Sequence, residues 1–206
     1  MNGLIKKEEL LIAMSDLVKT GKLKVLDLFS GLGGFSKAFK DRSHDVVTID
    51  NELKFKPDIC EDILELKPDY LLIQNHFDVI LASPPCTEFS KSQMPESWQC
   101  RQRYGCNPDT KLLEKSIEII EGIKPRYWII ENVSGARKFF KSFLGDYKKK
   151  VGSRYLWGVF PDFDCSPVYG KWKLPKTDDR SALRSCIPYE LSLSLCLAIE
   201  KEVYYV

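Results

Sequence analysis

The chain has 206 residues, 44% of them hydrophobic and 29% charged, with a formal net charge of +2 at pH 7. That length suits a single domain, and that balance argues against a chain disordered throughout. No run approaches the ~18 continuous apolar residues of a membrane span, and Met1 to Glu9 is too polar for a signal peptide, so a soluble, intracellular protein is expected.

Seven cysteines is an odd number, and none forms a C-x-x-C pair, which disfavours a disulfide framework. With His44 and His76 as the only histidines, no metal site is expected. The small net charge conceals an asymmetry. Residues 134–185 carry 12 lysines and arginines against 5 aspartates and glutamates, which leaves the remainder net negative. Such a basic segment suits either a polyanion-facing side or a solvated lysine-rich surface.

In chain order, Lys7 to Val18 has Leu10, Leu11, Met14 and Leu17 at helical spacing. Lys24 to Phe29 is a short apolar run, interrupted by Ser30 and three glycines before a helical pattern resumes at Phe35, Ala38 and Phe39. Val46 to Ile49 reads as a strand ending in Asp50, Ile63 to Gln74 as a helix, and Phe77 to Leu81 as a buried strand. The clearest helix follows Asp109 and Thr110, either of which suits its cap, with Leu113, Ile117 and Ile120 on one stripe and Pro125 as its stop. Tyr127 to Ile130 is again strand-like. Beyond it the pattern weakens: Tyr155 to Phe160 suits a strand, Pro161 to Arg184 reads as a loop region, and Ile187 and Pro188 open a last helix with Leu191, Leu195 and Ile199 on one face. This alternation predicts an α/β fold, with a mostly parallel sheet, helices on both faces and ligands at the carboxyl ends of the strands. The chemistry is therefore expected in the loops after Phe29, Ile49, Leu81 and Ile130.

Three segments fall at those places. The first, Asp27-Leu28-Phe29-Ser30-Gly31-Leu32-Gly33-Gly34, puts glycines between a strand and a helix, which suits either a nucleotide loop or a tight turn. It does not match the dinucleotide fingerprint, because Ser36 stands where the third glycine belongs. The second, Ser83-Pro84-Pro85-Cys86-Thr87-Glu88-Phe89-Ser90, uses two prolines to fix the chain at the ligand edge and presents Cys86 to the crevice. A free thiol titrates near ~8.5, so a nearby positive charge or helix N-terminus would be needed to supply thiolate. The third is Glu131-Asn132-Val133, where a carboxylate leaving an apolar strand calls for a partner or a raised pKa.

Together and in this order, these segments resemble the DNA cytosine-5 methyltransferases, in the compact form of phage and prophage members. The resemblance runs from about Leu23 to Glu200, including Ile187-Pro188, and is thin between Ser134 and Arg184. It implies a Rossmann-like class I fold dependent on S-adenosylmethionine, with residues 1–206 as one catalytic domain. It also implies DNA methylation of the kind found in restriction-modification. By the same resemblance Cys86 is the nucleophile that adds to C6 of cytosine, Glu131 acts at N3, Asn132 orients Glu131, and Arg154 stands in for an arginine pair. For the cofactor it implies Asp27, Phe29, Ser30, Gly31, Gly33, Gly34, Asp50, Asp62 and Pro84, with Asp50 on the ribose hydroxyls in place of the usual glutamate. A loop after Cys86 that closes over a flipped base implicates Ser90, Arg101 and Arg103, beside Trp98 and Tyr104. The charge arithmetic adds Lys148, Lys149 and Lys150 as phosphate contacts.

Family members that read duplex DNA carry a large recognition region before the last helix. Here residues 155–186 leave room for a minimal one at most, so a second chain supplying recognition is a further expectation. Two other readings compete. Ser83-Pro84-Pro85 also resembles the motif of amino-methyltransferases, which act on an exocyclic nitrogen without a thiol. The chain would otherwise serve as a non-catalytic subunit that binds S-adenosylmethionine or nucleic acid.

Overall fold

In the computed structural model, which describes residues 21–67, 76–89, 107–166 and 176–204, the motifs fall at the carboxyl ends of strands. The apolar run after Leu23 forms β1 (Lys24–Leu28) and the glycine loop leads into a short α1 (Lys37–Asp41). Then come β2 (Asp45–Asp50), a 3-10 turn at Leu53–Phe55, β3 (Ile59–Cys60) and β4 (Val79–Ala82). The second half holds α2 (Lys111–Ile123), β5 (Tyr127–Val133), a 3-10 turn at Ser134–Ala136 and α3 (Arg137–Leu144). It continues with β6 (Lys149–Val151), β7 (Arg154–Val159), α4 (Arg180–Ser185) and α5 (Tyr189–Tyr204).

The seven strands form one sheet in the order β3-β2-β1-β4-β5-β7-β6. The first five are mutually parallel, while β7 runs antiparallel to both β5 and β6. Leu113, Ile119 and Ile123 of α2 and Phe140 of α3 bury one face. Ala38 and Phe39 of α1 and Leu191, Leu195 and Ile199 of α5 bury the other. This is the mostly parallel, doubly covered sheet expected from the alternating pattern, in the Rossmann-like class I form that the family resemblance implies, and it puts the ends of β1, β2, β4 and β5 along one edge.

Several boundaries differ from the sequence reading. Strand β5 runs on through Glu131-Asn132-Val133 because β7 pairs with it to the end, Val133 opposite Arg154. The carboxylate therefore stands on a strand and not in a loop. The lysine run 148–150, expected to supply phosphate contacts, carries no strand pattern in sequence, yet Lys149 and Lys150 pair with Leu156 and Tyr155 as an edge strand. Helices α3 and α4, at eight and six residues, are too short to show a sustained helical period in the sequence. Of the helix expected over 63–74, the described part is a turn in which Ile63 and Leu66 are buried. The rest of it, and the helix expected over 7–18, lie outside the described residues.

Helix α5 is pinned by a polar cluster. The Arg42 guanidinium meets Glu200 through Nε, at 2.8 and 2.9 Å from its two carboxylate oxygens, and through an NH2 group at 2.7 Å. His44 Nδ1 accepts the Leu23 backbone N–H, so the proton is on Nε2 and is donated to Glu200 at 2.9 Å. Burial alone would raise Glu200, but the hydrogen bonds from His44 and Arg42 outweigh it and hold the carboxyl below its usual range. Cys196 lies within 4.8 Å of this cluster, its thiol pushed far up by burial. With both carboxylate oxygens taken by Arg42 and the imidazole committed at both nitrogens, these groups form a structural brace between α5 and the start of the sheet. By length and composition Ala182–Tyr204 could cross a membrane, but Leu191, Leu195, Cys196 and Ile199 are buried against the sheet.

The β5 and β7 pairing that carries the site depends on Gly158, opposite Ile129, whose φ is +134°. A Cβ there would lie 2.0 Å from the Trp128 carbonyl oxygen. Gly158→Ala is expected to lower stability by about 2 kcal/mol or more, read as a lower urea midpoint. An unchanged midpoint would show that the β5 and β7 backbones separate without cost.

Candidate active site

A cleft of about 450 Å³ opens along the carboxyl edge of the sheet. Of the residues expected there, Phe29, Ser30, Gly31, Gly34, Asp50, Asp62, Pro84, Cys86, Glu131 and Arg154 all line it. The volume falls in the range of small-molecule sites.

The glycine loop is built by backbone geometry. Phe29, Gly31 and Gly33 have φ of 61°, 49° and 73°, so the chain turns sharply and two of the three positions need glycine. The Ser30 N–H donates to Ile49 and the Gly33 N–H to Ser30. Asp50 then fixes the loop to β2: Oδ2 accepts the Gly31 N–H at 2.8 Å and Oδ1 the Glu52 N–H at 2.9 Å. Each oxygen keeps a second lone pair for a ligand hydroxyl. A Cβ on Gly34 would come within 2.4 Å of the Ile187 carbonyl and 2.6 Å of Cys186 Sγ, so that glycine lets the segment before α5 close against the loop.

Asp27 sits beneath the loop, fully buried, away from the cleft lining. Ser36 donates its hydroxyl to Oδ2, while Oδ1 has no partner. Burial, partly offset by the Ser36 hydrogen bond, raises this carboxyl to about 7. Asp62 accepts the Leu64 N–H at the far end of the cleft, where the adjoining Ile63 contributes an apolar wall. Lys54 joins Glu52 at 2.6 Å and Asp179 at 3.2 Å across the mouth. Neither Lys54 nor Asp179 carried a sequence signal, since their ion pair joins residues 125 positions apart.

At the other end of the cleft, the loop after β4 and the end of β5 are fastened to each other. Asn132 Nδ2 donates to the Pro84 carbonyl at 2.9 Å and its Oδ1 accepts the Val133 N–H, so Asn132 grips the Pro-Pro-Cys loop. The Phe89 N–H closes a turn onto the Cys86 carbonyl, and the Phe89 ring packs against Phe139 and Phe140. A Cβ on Gly135 would stand 2.0 Å from the Phe89 carbonyl oxygen, so the two loops meet with no clearance.

Glu131 is buried, and burial raises its carboxyl above the ordinary range against the opposing pull of Arg154. One Arg154 NH group donates to Glu131 Oε1 at 3.1 Å and the other to the Cys186 carbonyl at 2.5 Å. Cys86 is half-buried; its thiol is raised first by desolvation and then by the Glu131 charge, with Arg154 acting the other way. Burial thus pushes both the Cys86 thiol and the Glu131 carboxyl above their ordinary ranges in one cleft.

The expected nucleic-acid contacts divide. Ser90, Arg101 and Arg103 lie outside the described residues. Lys148 donates to the Phe160 carbonyl, Lys149 pairs with Asp162 at 2.5 Å, and Lys150 is exposed, with its ammonium 5.7 Å from the Tyr155 ring centre.

Residues 23–144 match the model of the family described as C-5 cytosine-specific DNA methylase. A probable DNA (cytosine-5)-methyltransferase of Frog virus 3 (isolate Goorha) is 34% identical over 122 residues, covering 56% of each chain. The type II methyltransferase M1.HphI of Haemophilus parahaemolyticus is 26% identical over 137 residues, covering 57% of this chain and 34% of its own. M.DdeI of Desulfomicrobium norvegicum is 27% identical over 149 residues, covering 63% and 34%. The chain therefore spans about a third to just over half of the length of these relatives. Among solved structures, an Entamoeba histolytica methyltransferase, EhMeth, aligns with a TM-score of 0.42 at 18% identity, over 58% of this chain and 40% of that one.

The electrostatics of Cys86 can be read by its rate of alkylation with iodoacetamide against pH. The midpoint is expected above the ordinary thiol value, because burial and the Glu131 charge both disfavour thiolate. Glu131→Gln removes a negative charge and is expected to lower the midpoint, whereas Arg154→Ala removes a positive one and is expected to raise it. A midpoint that neither variant moves would take both groups out of the thiol's environment.

Proposed function

The chain belongs to the family of C-5 cytosine-specific DNA methylases, and from that premise we propose that it methylates C5 of cytosine in DNA through a covalent adduct at Cys86. The observation that carries this reading is the meeting of Cys86, Glu131 and Arg154 in the same cleft as Gly31 and Asp50. A non-catalytic binding module has no use for a thiol and a proton-retaining carboxyl facing one cavity.

The residues present fit S-adenosylmethionine. Gly31 turns with positive φ and has open space where a Cβ would stand. Asp50 offers lone pairs for ribose hydroxyls, Phe29 and Ile63 offer apolar walls, and Asp62 suits the adenine amino group. When bound, the cofactor supplies an electrophilic methyl group.

The chain's own residues then act on the base. C5 of cytosine is a weak nucleophile until the ring is made electron-rich. The Cys86 sulfur bonds to C6 while Glu131 gives its proton to N3, and the C5–C6 double bond becomes an enamine with its electron density at C5. Arg154 keeps Glu131 in place at its outer oxygen, and Asn132 keeps the Cys86 loop at its Pro84 carbonyl. After C5 is substituted, its proton passes to a base, the Cys86 thiolate leaves and N3 returns its proton to Glu131, which restores the neutral ring. Cys86 must first surrender its thiol proton to solvent, a loss that burial and the Glu131 charge both oppose. The work is done where DNA is, inside a cell, as a modification activity of the type II kind. Target reading falls to the loop after Cys86, to residues beyond those matched, or to a second chain.

The test is incubation with labelled S-adenosylmethionine and DNA duplexes, with the modified base identified by mass spectrometry. 5-Methylcytosine is expected, together with a denaturation-resistant complex on 5-fluorocytosine DNA that Cys86→Ser abolishes. Glu131→Gln is expected to slow turnover by about 10²- to 10⁴-fold. N4-methylcytosine as the product, or normal methylation by Cys86→Ser, would overturn the mechanism in favour of direct attack by an exocyclic nitrogen.

A further inference from the structure

Resting on that reading, we propose that Arg137 and Lys150, set around the ring of Tyr155, hold the phosphate backbone of the DNA strand whose base enters the Cys86 cleft. The position comes from the sheet. Helix α3 begins at Arg137, just past the carboxyl end of β5 and the 3-10 turn that follows Glu131-Asn132-Val133. Strand β6 lies two strands over from β5 and parallel to it, about 10 Å away at ordinary strand spacing. Its Lys150 faces Tyr155, and Tyr155 faces Asn132, so the three stand level at the catalytic edge.

The two cations are held by aromatic rings. The Arg137 guanidinium carbon is 5.2 Å from the Tyr147 ring centre and 5.0 Å from that of Tyr155. The two tyrosines meet edge to face at 4.8 Å, and Tyr155 is itself buried, which makes the platform rigid. A guanidinium over aromatic rings is oriented while its N–H groups stay available at the edge of its plane. Arg137 is exposed, and neither its side chain nor that of Lys150 donates a hydrogen bond to, or forms an ion pair with, any described residue.

The neighbouring cations are committed elsewhere. Lys141 pairs with Asp146 at 3.0 Å, Lys149 with Asp162, and Lys148 with a backbone carbonyl. Of the basic groups that stand over the Tyr147 and Tyr155 rings, Arg137 and Lys150 therefore have charge to spend on a partner, while Lys138, also unpaired among the described residues, lies over the Phe139 ring instead. Phosphate is the partner that suits a planar fork beside an ammonium at the edge of a cytosine site. An acidic protein surface would meet the same charges but would have no reason to lie level with the catalytic strand.

The experiment measures binding of a fluorescein-labelled cytosine-containing duplex by anisotropy from 50 to 200 mM KCl. Arg137→Ala and Lys150→Ala are each expected to weaken binding about threefold to tenfold at any sequence and to flatten the slope of log affinity against log salt by about one. Arg137→Lys keeps the charge and loses the planar stack, so it is expected to keep most of the slope while binding more weakly. Lys149→Ala is expected to leave both unchanged. Binding of S-adenosylhomocysteine by calorimetry should match the wild type in every variant; should Arg137→Ala fail to fold, Lys150→Ala and Arg137→Lys carry the test. DNA binding that survives Arg137→Ala and Lys150→Ala, or that falls equally with Lys149→Ala, overturns this inference and leaves the cytosine chemistry standing. A wild-type chain that binds no DNA overturns both.

Discussion

The ion pair between Arg154 and Glu131 joins the parts of the fold that must work together. Burying a carboxylate costs several kcal/mol unless it is paired or protonated, and among the described residues this one has a single side-chain partner, on one oxygen. That geometry leaves Glu131 raised despite the cation beside it. The second Arg154 donor goes to the Cys186 carbonyl, so one guanidinium links β5, the β6 and β7 hairpin and the segment that closes over the glycine loop. A lysine could satisfy one of these acceptors but lacks the fork that reaches both. The antiparallel pairing of β7 with β5 makes the reach possible, because it stations Arg154 at the cleft end of the sheet.

The glycine-loop side of the cleft shows how a loop can be rigid while lacking side chains. Asp50 spends one lone pair of each oxygen on the backbone of its own loops, which preorganises the carboxylate before any ligand arrives. Beneath the loop, the buried Asp27 and Ser36 supply a polar support with one unsatisfied oxygen, a costly arrangement that a purely apolar core would avoid. The raised Asp27 carboxyl relieves that cost, since the neutral form needs less solvation. Support and rim are thus assigned to different carboxylates, one buried and proton-retaining, the other open to the cleft.

Much of this was legible in the sequence because it is local. The strand, glycine and helix succession, the Pro-Pro-Cys loop and the Glu-Asn-Val strand end each declare themselves within ten residues, and parallel sheets send such segments to one edge. What was not legible depends on long-range register. Gly135 looks like any turn glycine until the Phe89 carbonyl is found against it. Asn132 reads as a neighbour of Glu131, while its amide contact is to Pro84, 48 residues away. The ion pair of Lys54 and Asp179 at the cleft mouth, and the Arg42, His44 and Glu200 brace, have no sequence signature at all, because polar contacts between distant segments follow no period.

Charge illustrates the same limit from the other side. Counting lysines and arginines over residues 134–185 locates an excess of positive charge, but a count treats every ammonium as free. Folding spends Lys141 on Asp146 and Lys149 on Asp162, and turns Lys148 back onto the main chain. Arg154 is spent on Glu131. Such exposed pairs add little stability, but each removes a charge from the field that a polyanion meets. The electrostatic face of this protein is therefore set less by how many cations the segment contains than by which of them the hairpin leaves unpaired, and aromatic rings that hold a cation without neutralising it decide where that charge stands.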